Sequence, residues 1–340
     1  LSYEHVIRAA GRLPWAIESE KLDEIVALLE LKANGGGAVA AELLEDFRAV
    51  SGPGDSQAGG VAVLNVFGVM AQRMNMLMAS SGGVSTEVVA AALRQAVADP
   101  NVAAIVLNID SPGGSVFGID ELATEIRAAR AQKPIVAIAN STMASAAYYV
   151  GSAANEVVTT PGGRVGSIGV FMVHVDESGA NEQQGLKLTV IKAGKFKAEF
   201  DPSSPLSDEA LAYAKSIADT YYDAFVVAVA AGRGVSRDAV RSGFGQGRVV
   251  LAKQALATGM VDRIETLDQT IARLMKPQGR AAITKRGAAA VEDLPIVAEP
   301  LHELTNSDTA TIVSAAGEGA VVGETHDGSA IEARMRRLQL

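Results

Sequence analysis

The sequence predicts an α/β domain built on a largely parallel sheet, with an N-terminal helical extension and a flexible, weakly structured C-terminal tail. Three observations carry that expectation. From about residue 60 to 275, short β-branched runs alternate with Ala-rich helical stretches, the pattern of strand–helix units that feed a parallel sheet. Residues 1–50 instead place Leu22, Ile25, Val26, Leu28, Leu29 and Leu31 at helical spacing. From 276 onward Ala, Gly, Glu and Thr are scattered without period, as in chains that bury little apolar surface. The expected divisions are therefore 1–55, 56–275 and 276–340, with Ser51-Gly52-Pro53-Gly54-Asp55 marking the first edge.

Within the middle division, Val61–Phe67 and Val102–Ile109 read as buried strands, followed by helices at about 85–98 and 119–131. Pro134–Ala139 reads as a third strand, and Glu156–Thr159, Ile168–Val175 and Leu186–Ile191 continue the series. A long helix is expected over about 207–231, with Ser207 as its cap and Asp208 and Glu209 in its first turn. In the tail only Ser329–Leu340 reads as helical. Sites in open parallel sheets lie beyond the carboxyl ends of the strands, which directs attention to two small-residue segments, 110–115 and 141–152.

Composition excludes several classes. The 340 residues carry a formal charge of −9, which disfavours a phosphate-binding surface, so no nucleic-acid partner is expected. There is no cysteine, hence no disulfide, thiolate nucleophile or Cys-ligated metal. No metal or cofactor is expected. Leu1 to Glu20 carry charges throughout, unlike a secretory signal. No stretch approaches the ~18 apolar residues of a membrane helix, so a soluble cytoplasmic protein without a membrane span is expected.

Asp110-Ser111-Pro112-Gly113-Gly114-Ser115 follows a strand directly. Paired glycines can present backbone N–H groups in a concave turn that suits an oxyanion; an ordinary strand-to-helix turn is the plainer reading. In the second segment Ser145 lies among Ala144, Ala146 and Ala147, where small neighbours admit a substrate backbone. Ser141, Thr142 and Ser145 equally suit helix caps. A serine nucleophile needs a base. His174 is the one histidine inside the α/β zone, which leaves a Ser–His–Asp triad open. Lys192, Lys195 and Lys197 crowd into "VIKAGKFKAEFDP"; a lysine is a base only when neutral, which requires desolvation. Spacing does not choose among them, and three clustered lysines also suit a solvated surface.

Taken together, the segments "IVLNIDSPGGSV", "KPIVAIANSTMASAAYYVGSAANEVV", "GRVGSIGV", "VIKAGKFKAEFDPSSPLSDEA" and "GRVVLAKQALATGMVDRIE" resemble, in order, the signal peptide peptidase A (SppA) family of serine peptidases, relatives of ClpP. The resemblance runs from Val61 to Glu265. It implies a ClpP/crotonase-like fold of repeated β-β-α units. It matches Ser145 to the nucleophile and Lys197, in Gly194-Lys195-Phe196-Lys197, to the general base of a Ser–Lys dyad. Ser167 matches a serine that helps hold the lysine. Backbone N–H groups of Gly113 or Gly114 and of Ala146 would form the oxyanion hole. Here Ala146 and Ala147 replace the glycines that follow the nucleophile in relatives.

The segment "LPWAIESEKLDEIVALLE" ahead of the core and the long tail further resemble head maturation proteases of tailed phages and prophages. That implies capsid or scaffold proteins, and the chain's own tail, as substrates, with the host cytoplasm or the prohead as location. Relatives form rings, so a homo-oligomeric ring is expected. Three alternatives stay open: a His174-based triad, a catalytically inactive capsid-associated scaffold, and a crotonase-like acyl-CoA enzyme.

Overall fold

The computed structural model describes residues 14–19, 21–22, 56–73 and 83–283. In chain order its strands and helices are β1 (Trp15–Ile17), β2 (Ser56–Ala58), β3 (Val61–Phe67), β4 (Met70–Ala71), β5 (Val84–Ser85), α1 (Thr86–Ala98), β6 (Ala104–Ser111), β7 (Gly113–Ser115), α2 (Ile119–Ala129), β8 (Ile135–Ala144), α3 (Ala146–Ser152), β9 (Glu156–Thr159), β10 (Arg164–Gly166), α4 (Ser178–Gln183), α5 (Asp208–Arg233), α6 (Arg237–Gly243), β11 (Val249–Leu251), α7 (Ala252–Ala257), β12 (Arg263–Ile264) and α8 (Leu267–Leu274).

The β-branched runs form the centre of the larger sheet. β3, β6 and β8 pair in parallel, Val61 opposite Ala104 and Ile105 opposite Ile135. β9 continues in parallel along the first half of β8 and β10 along its last three residues. Only β2 and β11 join antiparallel, at the edges. β6 is buried along nearly its whole length, as expected of a strand covered on both faces. A second, four-stranded sheet has the order β1-β7-β4-β5. Successive units thus send one strand to the large sheet, drop the next into the small one and return through a helix: β3, β4 and β5, α1; then β6, β7, α2. This is the β-β-α repeat expected above.

One face of the large sheet packs against α1, α2, α3 and the end of α5, around Leu107, Ile109, Ile126, Tyr148 and Phe225. The other face is a smaller cluster of Val63, Val106, Ile138 and Leu274. α5 begins where expected: the Ser207 hydroxyl accepts from Ala210 N at 3.2 Å. It ends at Gly234, whose φ of 65° suits a left-handed cap.

Four expectations are corrected. Ile168–Val175 forms no strand; its single ladder contact is Phe171 with Trp15. Leu186–Ile191 has no regular secondary structure, pairs with no described strand and is exposed. Both segments have strand-forming residues, but the first meets β1 at Phe171 alone and the second pairs with no described strand. Trp15–Ile17, inside the extension read as helical, is a strand because β7 offers it an edge. Helical backbone continues over 277–283 and Ile283 is buried, so packed structure runs past 275. The helix expected from Ile25 to Leu31 and the one at Ser329–Leu340 lie outside the described residues. No described helix is long and apolar enough to cross a membrane.

Candidate active site

The site forms where β8 ends. Parallel pairing with β10 runs to Ala144 opposite Gly166, and the chain then turns sharply through Ser145 into α3. Ser145 has φ 52° and ψ −122°, a region that favours glycine and is strained for a residue with a Cβ. Two backbone bonds hold it there: Ser145 N donates to Gly166 O at 2.7 Å, and Tyr149 N donates to Ser145 O at 3.0 Å. Its side chain makes no cap bond to the helix. Ser145 is only 1% exposed, and Oγ has no hydrogen-bond partner among the described residues. The cap reading therefore fails for Ser145: a strained, buried, unpartnered hydroxyl contributes nothing to the helix start.

The Pro-Gly-Gly segment packs against the Ser145 Cβ. Gly113 has φ 101°, and a Cβ placed on it would lie 2.9 Å from Ser145 Cβ, 3.0 Å from Ala146 N and 2.2 Å from Ala16 O. A Cβ on Gly114 would fall 1.9 Å from Met70 O. Both positions accept only glycine for that reason. Ala146 is the first residue of α3, so helix geometry leaves its amide without an intrahelical acceptor. The amide of Gly113 donates to Ser111 Oγ at 3.2 Å.

The candidate bases lie elsewhere. Lys197 sits in an exposed turn, its own amide donating to Gly194 O at 3.3 Å. Lys195 is committed to Glu209 at 2.8 Å and lies over the Phe196 ring. Lys192 is exposed. The His174 ring nitrogen Nε2 is 3.3 Å from Ser204 O. Ser167 shares the positive φ of Ser145, also 52°, and its amide donates to Arg248 O. Since Ser145 Oγ has no partner among the described residues, neither Lys197 nor His174 is hydrogen-bonded to it within one chain. The nearby phenols offer no base: burial first, and for Tyr149 also the bond to Asp120 at 2.7 Å, push both Tyr148 and Tyr149 upward.

Sequence reasoning missed three contributors. Asp110 Oδ1 accepts from Thr142 N at 3.2 Å and so steadies the segment leading to Ser145. Ser111 Oγ donates to Gly68 O at 2.6 Å while receiving Gly113 N. Both lie in the segment read for its glycines alone. The third is β1, which lies against Gly113–Ser115 and carries no signal in a three-residue run.

Residues 127–280, which include Ser145, Ser167 and Lys197, match the model of peptidase family S49. The chain is 35% identical over 205 residues to the capsid assembly protease C of Escherichia phage lambda, covering 60% of this chain and 46% of that one. It is 29% identical over 185 residues to a putative signal peptide peptidase SppA of Enterococcus faecium, covering 54% of each. The chain thus spans about half the length of these curated relatives. Among solved structures it is similar to a ClpP1 mutant from Listeria monocytogenes, with 15% identity and a TM-score of 0.38 over 64% of this chain and 93% of that one, too loose a likeness to carry an argument. Of the two serines with positive φ in the matched segment, Ser145 is the buried one, and its Oγ has no partner among the described residues.

Proposed function

We propose that the chain is a serine endopeptidase that cleaves capsid or scaffold proteins during phage head maturation, with Ser145 as nucleophile and Lys197 as general base. The observation that carries the proposal is the strained, buried Ser145 with its unbonded Oγ beside Gly113 and Ala146. Strain of this kind persists only where the surroundings impose it, and it clusters at sites of chemistry. The similarity to a phage capsid assembly protease supports the substrate class.

In the proposed mechanism neutral Lys197 takes the Ser145 proton as Oγ attacks a peptide carbonyl. Ala146 N–H and an amide of Gly113 or Gly114 receive the oxyanion, each donor contributing about 3–4 kcal/mol to the transition state. Gly113 would exchange its bond to Ser111 Oγ for the oxyanion. Protonated Lys197 then protonates the leaving amine, and water repeats the cycle on the acyl-enzyme. Ser167 holds the lysine in place.

Assembly supplies what the single chain lacks. Leu186, Leu188, Val190, Ile191 and Phe196 are exposed around the lysine segment, Ile191 to 95%, and an apolar patch of this kind calls for a partner. A homo-oligomeric ring that covers it would exclude water from Lys197 and bring it to Ser145.

Casein hydrolysis by wild type, Ser145→Ala, Lys197→Ala and His174→Ala tests this. Ser145→Ala and Lys197→Ala should each lose at least about a thousandfold in kcat/KM, with His174→Ala near wild type. Full activity in Lys197→Ala, or its loss in His174→Ala alone, would replace the dyad with a triad.

A further inference from the structure

The chain's own β1 lies on the strand edge beside the nucleophile. Trp15–Ile17 run antiparallel to β7, with Trp15 opposite Ser115, Ala16 opposite Gly114 and Ile17 opposite Gly113. Glu18 N extends the ladder to Pro112 O at 2.9 Å. On its other side Trp15 exchanges bonds with Phe171 in both directions, at 3.0 and 3.1 Å. β1 is therefore inserted between the oxyanion turn and the segment that follows Ser167. Extended peptides are captured in this way, by main-chain bonds to a strand edge with alternate side chains in pockets.

Side-chain placement completes the likeness to a bound peptide. Trp15 and Ile17, 4% and 3% exposed, pack with Leu22, Val69 and Phe171 in a satellite cluster separate from the main core. Ala16 faces the other way and joins the main core. One point beside Gly113 is crowded at once by Ala16 O, Ser145 Cβ and Ala146 N. A nucleophile that is 1% exposed cannot meet a carbonyl until something moves, and β1 is the strand that lies there. Besides its ladder, it is latched by the Glu18–Arg164 pair at 3.2 Å, and Arg164 Nε also donates to Thr142 Oγ1 at 3.1 Å, three residues before Ser145.

We propose that the β7 edge is a binding site for an extended peptide with a small residue between two apolar ones. Residues 15–17 fill it as a built-in pseudosubstrate that must leave before a substrate enters. The proposal deepens the peptidase reading and rests on it for turnover, though not for binding.

Trp15 is the chain's one tryptophan, so its emission reports the strand. Full-length Ser145→Ala is titrated with acetyl-Pro-Phe-Ala-Ile-Glu-Ser-amide, which copies residues 14–19 with Phe for Trp. A saturable red shift is expected as the peptide displaces β1. Full-length Trp15→Ala, with Ser145 intact, should hydrolyse fluorescent casein with KM lowered about tenfold, the order set by losing one large buried apolar side chain, and kcat within about twofold. Glu18→Gln, which weakens the latch, should lower KM about two- to threefold and serves if Trp15→Ala does not fold. Emission that stays unchanged up to the peptide's solubility limit, or a KM equal to or above wild type in the folded variants, would overturn the proposal. If wild type and Ser145→Ala hydrolyse casein equally, the Ser145 assignment fails instead, and the emission shift alone still decides strand exchange.

Discussion

The backbone of Ser145 carries the most direct mark of function at the scale of single residues. Its positive φ is held by one bond to Gly166 O and one from Tyr149 N, and its buried hydroxyl returns nothing to stability. Glycine adopts such backbone without a Cβ penalty. Ser145→Gly should therefore abolish hydrolysis while raising the unfolding free energy by about 1 kcal/mol in urea denaturation; a loss of stability would show that the conformation is not strained. None of this was legible in the sequence, where Ser145 reads equally as a cap, because a serine does not announce its φ. The lysines were ambiguous for a related reason: spacing says nothing of pairing. The structure commits Lys195 to Glu209 and leaves Lys197 in an exposed turn.

Among elements, legibility followed burial. Val61–Phe67 and Glu156–Thr159 coincide with the strands read from sequence because both are packed within one chain. Ile168–Val175 and Leu186–Ile191 are also rich in β-branched residues, but the first meets β1 at Phe171 alone and the second pairs with no described strand, and composition does not distinguish a strand paired at home from one left open. β1 escaped notice because it is three residues long and owes its form to β7. α5 was read almost to its ends, yet what anchors it was hidden: Arg233, in its last turn, forms a buried pair with Asp262 at 2.8 Å, their side chains 6% and 8% exposed. Asp262 also accepts from Val157 N at 2.8 Å, which ties α5 to β9 and, through β8, to the strand that delivers Ser145. Removing one partner of a buried pair strands the other charge. Asp262→Ala should cost about 3–5 kcal/mol in urea unfolding; a cost below about 1 kcal/mol would show that solvent replaces the pair.

At the scale of the whole molecule, the parts of the proposed site are divided between a packed floor and an exposed wall. The floor is the end of β8 in the large sheet, which leads to Ser145, together with the two glycines of β7 in the small one. The wall, from Leu186 to Lys197, presents apolar side chains to solvent, and the proposed ring would close it. The fold class was plain from sequence because the core is encoded by burial within one chain, whereas the dyad depended on a family resemblance because the exposed lysine segment carries no burial pattern to read. The central claim is that Ser145 is the nucleophile and that Lys197 activates it. Intact-mass and peptide-mapping spectrometry of the full chain after incubation with a peptidyl fluorophosphonate tests it most directly. One adduct on Ser145, absent in Ser145→Ala and formed at least about a hundredfold more slowly in Lys197→Ala, is the predicted result; an adduct on another residue, or equal labelling of Lys197→Ala, would contradict it.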